Sequence, residues 1–171
     1  VFAGFMMVER FGFDVHELTS LYLVNLALNM LLGPIFGKAV ARYGERKTLL
    51  LEYSGLTFVF LAYGGIYVFS WGAVLAGVLF IIDHLFFSFA LALKTYFQKI
   101  ADPADIAPTA AVAFTINHIG AVGLPLAMGF LWLLSPSLVF FVAAVMAIIS
   151  LVLAFLIPRA PTPGYETILC R

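Results

Sequence analysis

The sequence predicts an all-α, polytopic membrane helix bundle. Three observations carry that expectation. Of 171 residues, 64% are hydrophobic and only 11% are charged, about half the charged fraction of a soluble domain. Five apolar runs approach the ~20 residues that a helix needs to cross the hydrocarbon core. The connections between them are polar, and the basic residues collect on alternate ones. Backbone groups in lipid must be satisfied within each segment, so the runs are read as helices. The alternating strands of a barrel are not visible.

Residues 1–8 are apolar but span only about 12 Å as a helix, so they read as the end of a sixth helix whose beginning lies outside this sequence. A polar connection follows at 9–17. The first full span is expected at 19–38, then a basic loop at 39–47 and a second span at 49–69. Ser70 and Trp71 make a tight turn into a third span at 72–94. The polar segment 95–107 contains Asp102-Pro103-Ala104-Asp105, read as the capped start of a short surface helix. The fourth span is 108–134, Ser135-Pro136-Ser137 a turn, and the fifth span 138–157. Pro158, Pro161, Pro163 and Gly164 then end helical structure, dividing the chain into a bundle, 1–158, and a tail, 159–171.

Orientation follows from the cations. Lys38, Arg42, Arg46, Lys47, Lys94, Lys99, Arg159 and Arg171 fall on one side and Arg10 alone on the other, eight of the nine Lys and Arg residues. By the positive-inside rule the Arg42 loop, the Lys99 segment and the C-terminus are expected in the cytoplasm, with Trp71 and Trp132 at the opposite interface.

Several chemistries find no support. Net charge is zero, so no field attracts nucleic acid. The single cysteine, Cys170, supplies neither a disulfide nor a metal-ligand set. No zinc spacing, phosphate loop or nucleophile elbow occurs, and neither an enzyme nor a cofactor is expected.

The first basic loop reads Gly37, Lys38, Ala39, Val40, Ala41, Arg42, Tyr43, Gly44, Glu45, Arg46, Lys47. It resembles the signature loop of the major facilitator superfamily, roughly G-x-x-x-D-R-x-G-R-K, which joins the second and third helices of each six-helix half. Gly37, Arg42, Gly44, Arg46 and Lys47 carry the match; Ala41 stands at the acidic position and Glu45 at a basic one. The resemblance covers essentially the whole chain, as the end of helix seven through helix twelve of that family. It implies the C-terminal half of a transporter in a bacterial inner (plasma) membrane, with an N-terminal half as partner and a small-molecule substrate. In that family helices eight, ten and eleven line or flank the central cavity, and nine and twelve lie outside.

The residues point the same way. The first span carries Asn25 and Asn29, the third Asp83 and His84, and the fourth Asn117 and His118. The second and fifth have no ionisable residue in their central portions. At 1.5 Å per residue, Asn29, Asp83, Asn117 and His118 all lie about 14–16 Å from the cytoplasmic ends of their spans. Ionisable groups at that depth face protein or water, and midplane sites are what secondary transporters use. Asp83 and His84 point about 100° apart, so Asp83 is expected to find Asn117, His118 or Asn29 on a neighbouring helix. Lys94, about 20° from Asp83 around a continuous helix, extends the face Ala76, Asp83, Phe87, Ala90, Lys94 toward the cytoplasm. Asp83 is the expected proton carrier, with His118 or His84 assisting or contacting substrate; purely structural interhelical hydrogen bonding is the alternative. Asn25, Asn29, Gly33 and Gly37 share a face, read chiefly as a packing stripe, and Gly120, Gly123 and Pro125 suggest a bend. The expected function is translocation of a small solute by alternating access, coupled to protons. An uncoupled facilitator and a non-transporting sensor or structural subunit remain open.

Overall fold

The structure is a computed structural model, and residues 1–169 are described. Cys170 and Arg171, the lone thiol and one of the eight cations assigned to the cytoplasm, lie outside the described residues. The chain is all-α: α1 (Phe2–Phe11), α2 (Val15–Tyr43), α3 (Glu45–Phe69), α4 (Ala73–Phe87), a 3₁₀ turn (Ser88–Ala90), α5 (Leu91–Ile100), α6 (Pro103–Leu134) and α7 (Pro136–Phe155). Five stretches are long and apolar enough to span a membrane, α4 and α5 counting as one. This is the architecture expected from the apolar runs.

Local chemistry sets most boundaries. Gly12 ends α1 in the left-handed region, φ 69°, where only glycine sits without strain. The Asp14 backbone N–H donates to Glu17 Oε2 at 3.0 Å, the return arm of a capping box that starts α2. Ser70 closes α3 in the left-handed region, φ 53°, making the tight turn expected there. Pro136 opens α7 at a position where its missing N–H has no helical partner to lose.

Three local expectations are corrected. The basic segment is not a loop: α2 runs on to Tyr43, α3 starts at Glu45, and Gly44 alone, φ 81°, forms the joint. Gly37 and Arg42 therefore lie on α2, and Arg46 and Lys47 on the first turn of α3. Asp102 does not start a separate surface helix. Its Oδ1 accepts from the Ala104 N–H at 2.9 Å and caps the long α6 directly, because Pro at the first helical position is compatible with continuing the helix. The third span is broken by the 3₁₀ turn, whose tighter winding rotates everything after it relative to Asp83.

The core lies where α3 packs along α7, the most extensive contact in the molecule, with α4 on its other flank. Lipid supplies no hydrophobic drive between helices, so close packing must hold them. Gly64 lets the Phe141 ring approach to 2.7 Å from where a Cβ would stand, and Gly55 admits the end of the Phe86 ring. The Tyr63 and Phe140 rings pack at a tilt, 5.1 Å between centroids. Trp132 is enclosed within the bundle. It is 6% exposed, packs against Phe2 at 5.5 Å and donates from Nε1 to Glu9 Oε2 at 2.9 Å. Trp71 is exposed and stacks on Phe69.

Burial is uneven. In the most apolar window of each span, 44% of α3 and 28% of α7 is buried, against 17% of α4–α5, 6% of α2 and 0% of α6. Nothing packs within 4 Å of a Cβ built at Gly33 or Gly37, so the glycine half of that stripe makes no close contact with the described residues. After α7 the chain turns back on itself. Tyr96 Oη donates to the Glu166 carbonyl at 2.6 Å, and the Ile168 N–H donates to the Leu156 carbonyl at 2.9 Å.

Candidate functional site

Asp83 and His84 sit on α4 and look into different surroundings, as the helical step requires. Asp83 lines a cavity of about 340 Å³ with Tyr63, Phe87, Met128, Phe140 and Met146. Among the described residues the polar side chains on that wall are Asp83 and Tyr63, and the Tyr63 hydroxyl is sealed from solvent with no hydrogen-bond partner. The cavity thus offers one carboxylate within an aromatic and methionine lining, a surface suited to an apolar solute with one polar group.

His84 turns toward α2. Its Nδ1 donates to the Phe80 carbonyl at 2.9 Å. The ring lies 4.4 Å from Phe80 and meets Tyr22 of α2 edge-on at 5.8 Å. Asp83 Oδ2 is 3.9 Å from His84 Nδ1, at the outer limit of an ion pair, so His84 is only a distant partner.

Asn29 reaches the break between α4 and α5. Its Nδ2 donates to the Asn25 carbonyl at 2.9 Å, and its Oδ1 accepts from the Ser88 hydroxyl. One turn earlier Asn25 is 3% exposed, and neither its amide nitrogen nor its amide oxygen has a partner. A polar seam therefore runs between α2 and α4: Asn25, Asn29, His84 and Ser88.

Asn117 and His118 do not join that seam. Both are exposed on α6; His118 Nδ1 donates to the Phe114 carbonyl of its own helix at 2.8 Å. Lys94 is also exposed and lines a separate hollow of about 580 Å³ between α5 and α6, with Gln98 and Thr109. The 3₁₀ turn has rotated it away from the Asp83 cavity. Of the signature residues, Gly44, Arg46 and Lys47 share a hollow of about 410 Å³ with Arg159, while Gly37 and Arg42 lie outside it. Among the described residues no group of three His, Cys, Asp or Glu could hold a metal ion.

Sequence reasoning passed over four polar groups. Tyr63 carries no sequence signal that separates it from other aromatics. Ser88, one turn after His84, becomes informative only once the helix breaks. Glu45 is 3% exposed, and its Oε1 pairs with Lys99 Nζ at 2.6 Å, tying the start of α3 to the end of α5. Glu52 is 2% exposed, and its Oε2 has no partner. A carboxylate inside an apolar run was the available signal there, obscured because Glu52 falls near the expected boundary of its span.

No protein-family model, no curated protein and no solved structure matches this chain.

Proposed function

We propose that this chain forms the C-terminal half of a secondary transporter of the major facilitator type. It moves a small solute by alternating access and couples that movement to protons through Asp83. The observation that carries the reading is the position of Asn117 and His118, exposed at mid-span on α6, whose apolar window this chain leaves unburied. Polar side chains at that depth are costly against acyl chains. A second bundle with an aqueous cavity between the halves satisfies them, and α2, almost as bare, borders the same cavity. The tightly packed α3–α7 pair then forms the outer support, in keeping with helices nine and twelve of the family.

In this reading the solute sits between the halves near the bilayer midplane, and Asp83 supplies the carboxylate on this side. Asp83 binds a proton in one facing state and releases it in the other. The α4–α5 break, held to α2 by the Asn29–Ser88 hydrogen bond, is a place where α4 can tilt without rupturing a continuous helix. The basic ends at Arg46, Lys47 and Arg159 lie in the cytoplasm of a bacterial inner-membrane protein.

Replacement Asp83→Asn, with the intact protein in proteoliposomes, tests the coupling. Solute-driven proton movement is expected to disappear while solute exchange persists. Unchanged coupling removes Asp83 from the mechanism.

A further inference from the structure

Glu52 has no role in the mechanism just described, yet it is among the most enclosed ionisable groups of the bundle. It is 2% exposed. It lies seven residues beyond Glu45, about 10 Å further into the span. Register fixes its level: Gly55 receives the Phe86 ring, and Leu49 packs in one cluster with Ala92. In the antiparallel α3–α4/α5 pair, Glu52 therefore stands level with the Ser88–Ala90 turn. Its face of α3 also carries Glu45 on one side and Tyr63 on the other, within about 20° of helical rotation.

Among the described residues no cation compensates it. Among the described residues the ion pairs are Asp83–His84 and Glu45–Lys99, and Glu52 is in neither. Tyr53 adjoins it on α3 itself and Arg10 of α1 lies at the far end of α3, bonded to the Ile66 carbonyl; the titratable groups of α4, α5 and the end of α2 have other surroundings. On α4, Asp83 faces the cavity and His84 faces Tyr22. On α5, Lys94 is exposed toward α6, Tyr96 donates to the tail, and Lys99 is paired with Glu45. Lys38 and Arg42 near the end of α2 are exposed, and α7 has no titratable side chain. A bare carboxylate in such a place is penalised by several kcal/mol, and a divalent cation asks for about six oxygens. A proton needs one.

We infer that Glu52 is a second proton-binding site, a carboxylic acid held inside the α3–α5 interface beside the helix break. It is distinct from Asp83 and does not depend on the transport reading. Losing its proton places an unpaired charge between packed helices, so release requires the break to open and admit water. Binding and release at Glu52 are thereby tied to the local separation of α3 from α5.

Infrared spectroscopy of the intact protein in lipid nanodiscs at neutral pH tests this. A deuterium-sensitive C=O stretching band of a neutral carboxyl group is expected. It persists in Asp83→Asn and loses one carboxyl's intensity in Glu52→Gln. In Glu52→Asp, a control that does not rely on the glutamine variant folding, the band remains but shifts in frequency. A spectrum that neither substitution alters overturns the proposal. So does a band abolished by Asp83→Asn alone. Because no transport is measured, failure here is separate from failure of the Asp83 coupling.

Discussion

Buried charges in this bundle are resolved one residue at a time. Glu45 begins α3, where the helix N-terminus favours a negative group, and Lys99 supplies a cation from α5 at 2.6 Å. Lys99 is 53% exposed along its side chain and Glu45 only 4%, so the enclosed carboxylate depends more on the pair than the lysine does. Lys99→Met is expected to lower stability by about 1–3 kcal/mol, below the full cost of breaking a wholly buried pair. Adding Glu45→Gln should restore most of the loss, which thermal unfolding of the two variants in detergent would measure. A loss unchanged in the double variant would mean that Lys99 acts through packing alone. Arg10 follows similar logic at the far end. It donates to the Ile66 carbonyl at 3.2 Å and lies 4.6 Å over the Tyr67 ring, placing a cation at the C-terminus of α3, where carbonyls lack helical partners.

The helices divide into tightly packed and bare elements. α3 holds its neighbours through absent side chains: Gly55 against Phe86 of α4 and Gly64 against Phe141 of α7. Adding a methyl at Gly55 forces the Phe86 ring out of its seat. Gly55→Ala is therefore expected to destabilise by about 1–3 kcal/mol, whereas Gly33→Ala, where nothing lies within 4 Å, leaves the packing of this chain untouched. Comparing the melting temperatures of the two variants checks both. The break at Ser88–Ala90 has no glycine or proline to cause it. Ser88 Oγ lies 3.3 Å from the His84 carbonyl and also meets Asn29, and side-chain competition of this kind is a recognised source of helix distortion.

At the scale of the molecule, the question is what lies against α2 and α6. Their apolar windows are 6% and 0% buried, and α6 touches little beyond α7. If a second bundle and an aqueous cavity cover this face, a cysteine at position 118 in a Cys170→Ser background should react with a membrane-impermeant thiol reagent in the intact protein. A cysteine at Ile116, about 160° around the same helix, should stay protected by lipid. Equal protection of both sites would place His118 against acyl chains and remove the support for a second half.

Much of this architecture was legible from composition and spacing. Membrane residence and five spans follow from apolar run length, because hydrocarbon thickness and helical rise leave one solution. Separate surroundings for Asp83 and His84 follow from the helical step alone. Other features depended on contacts between distant segments. The basic segment became two helix ends meeting at Gly44, whose positive φ ends α2 and lets α3 begin at the next residue. The 3₁₀ turn moved Lys94 off the Asp83 face through Ser88 and Asn29, residues separated by more than a full span. Trp132 was enclosed in a cluster with Glu9 and Phe2. By itself the sequence determined which segments are long and apolar enough to cross a membrane and how far along each its polar groups fall, since helical rise converts residue count into length. Tertiary structure decided which of those groups meet, because that depends on helix rotation and lateral packing, which periodicity leaves free.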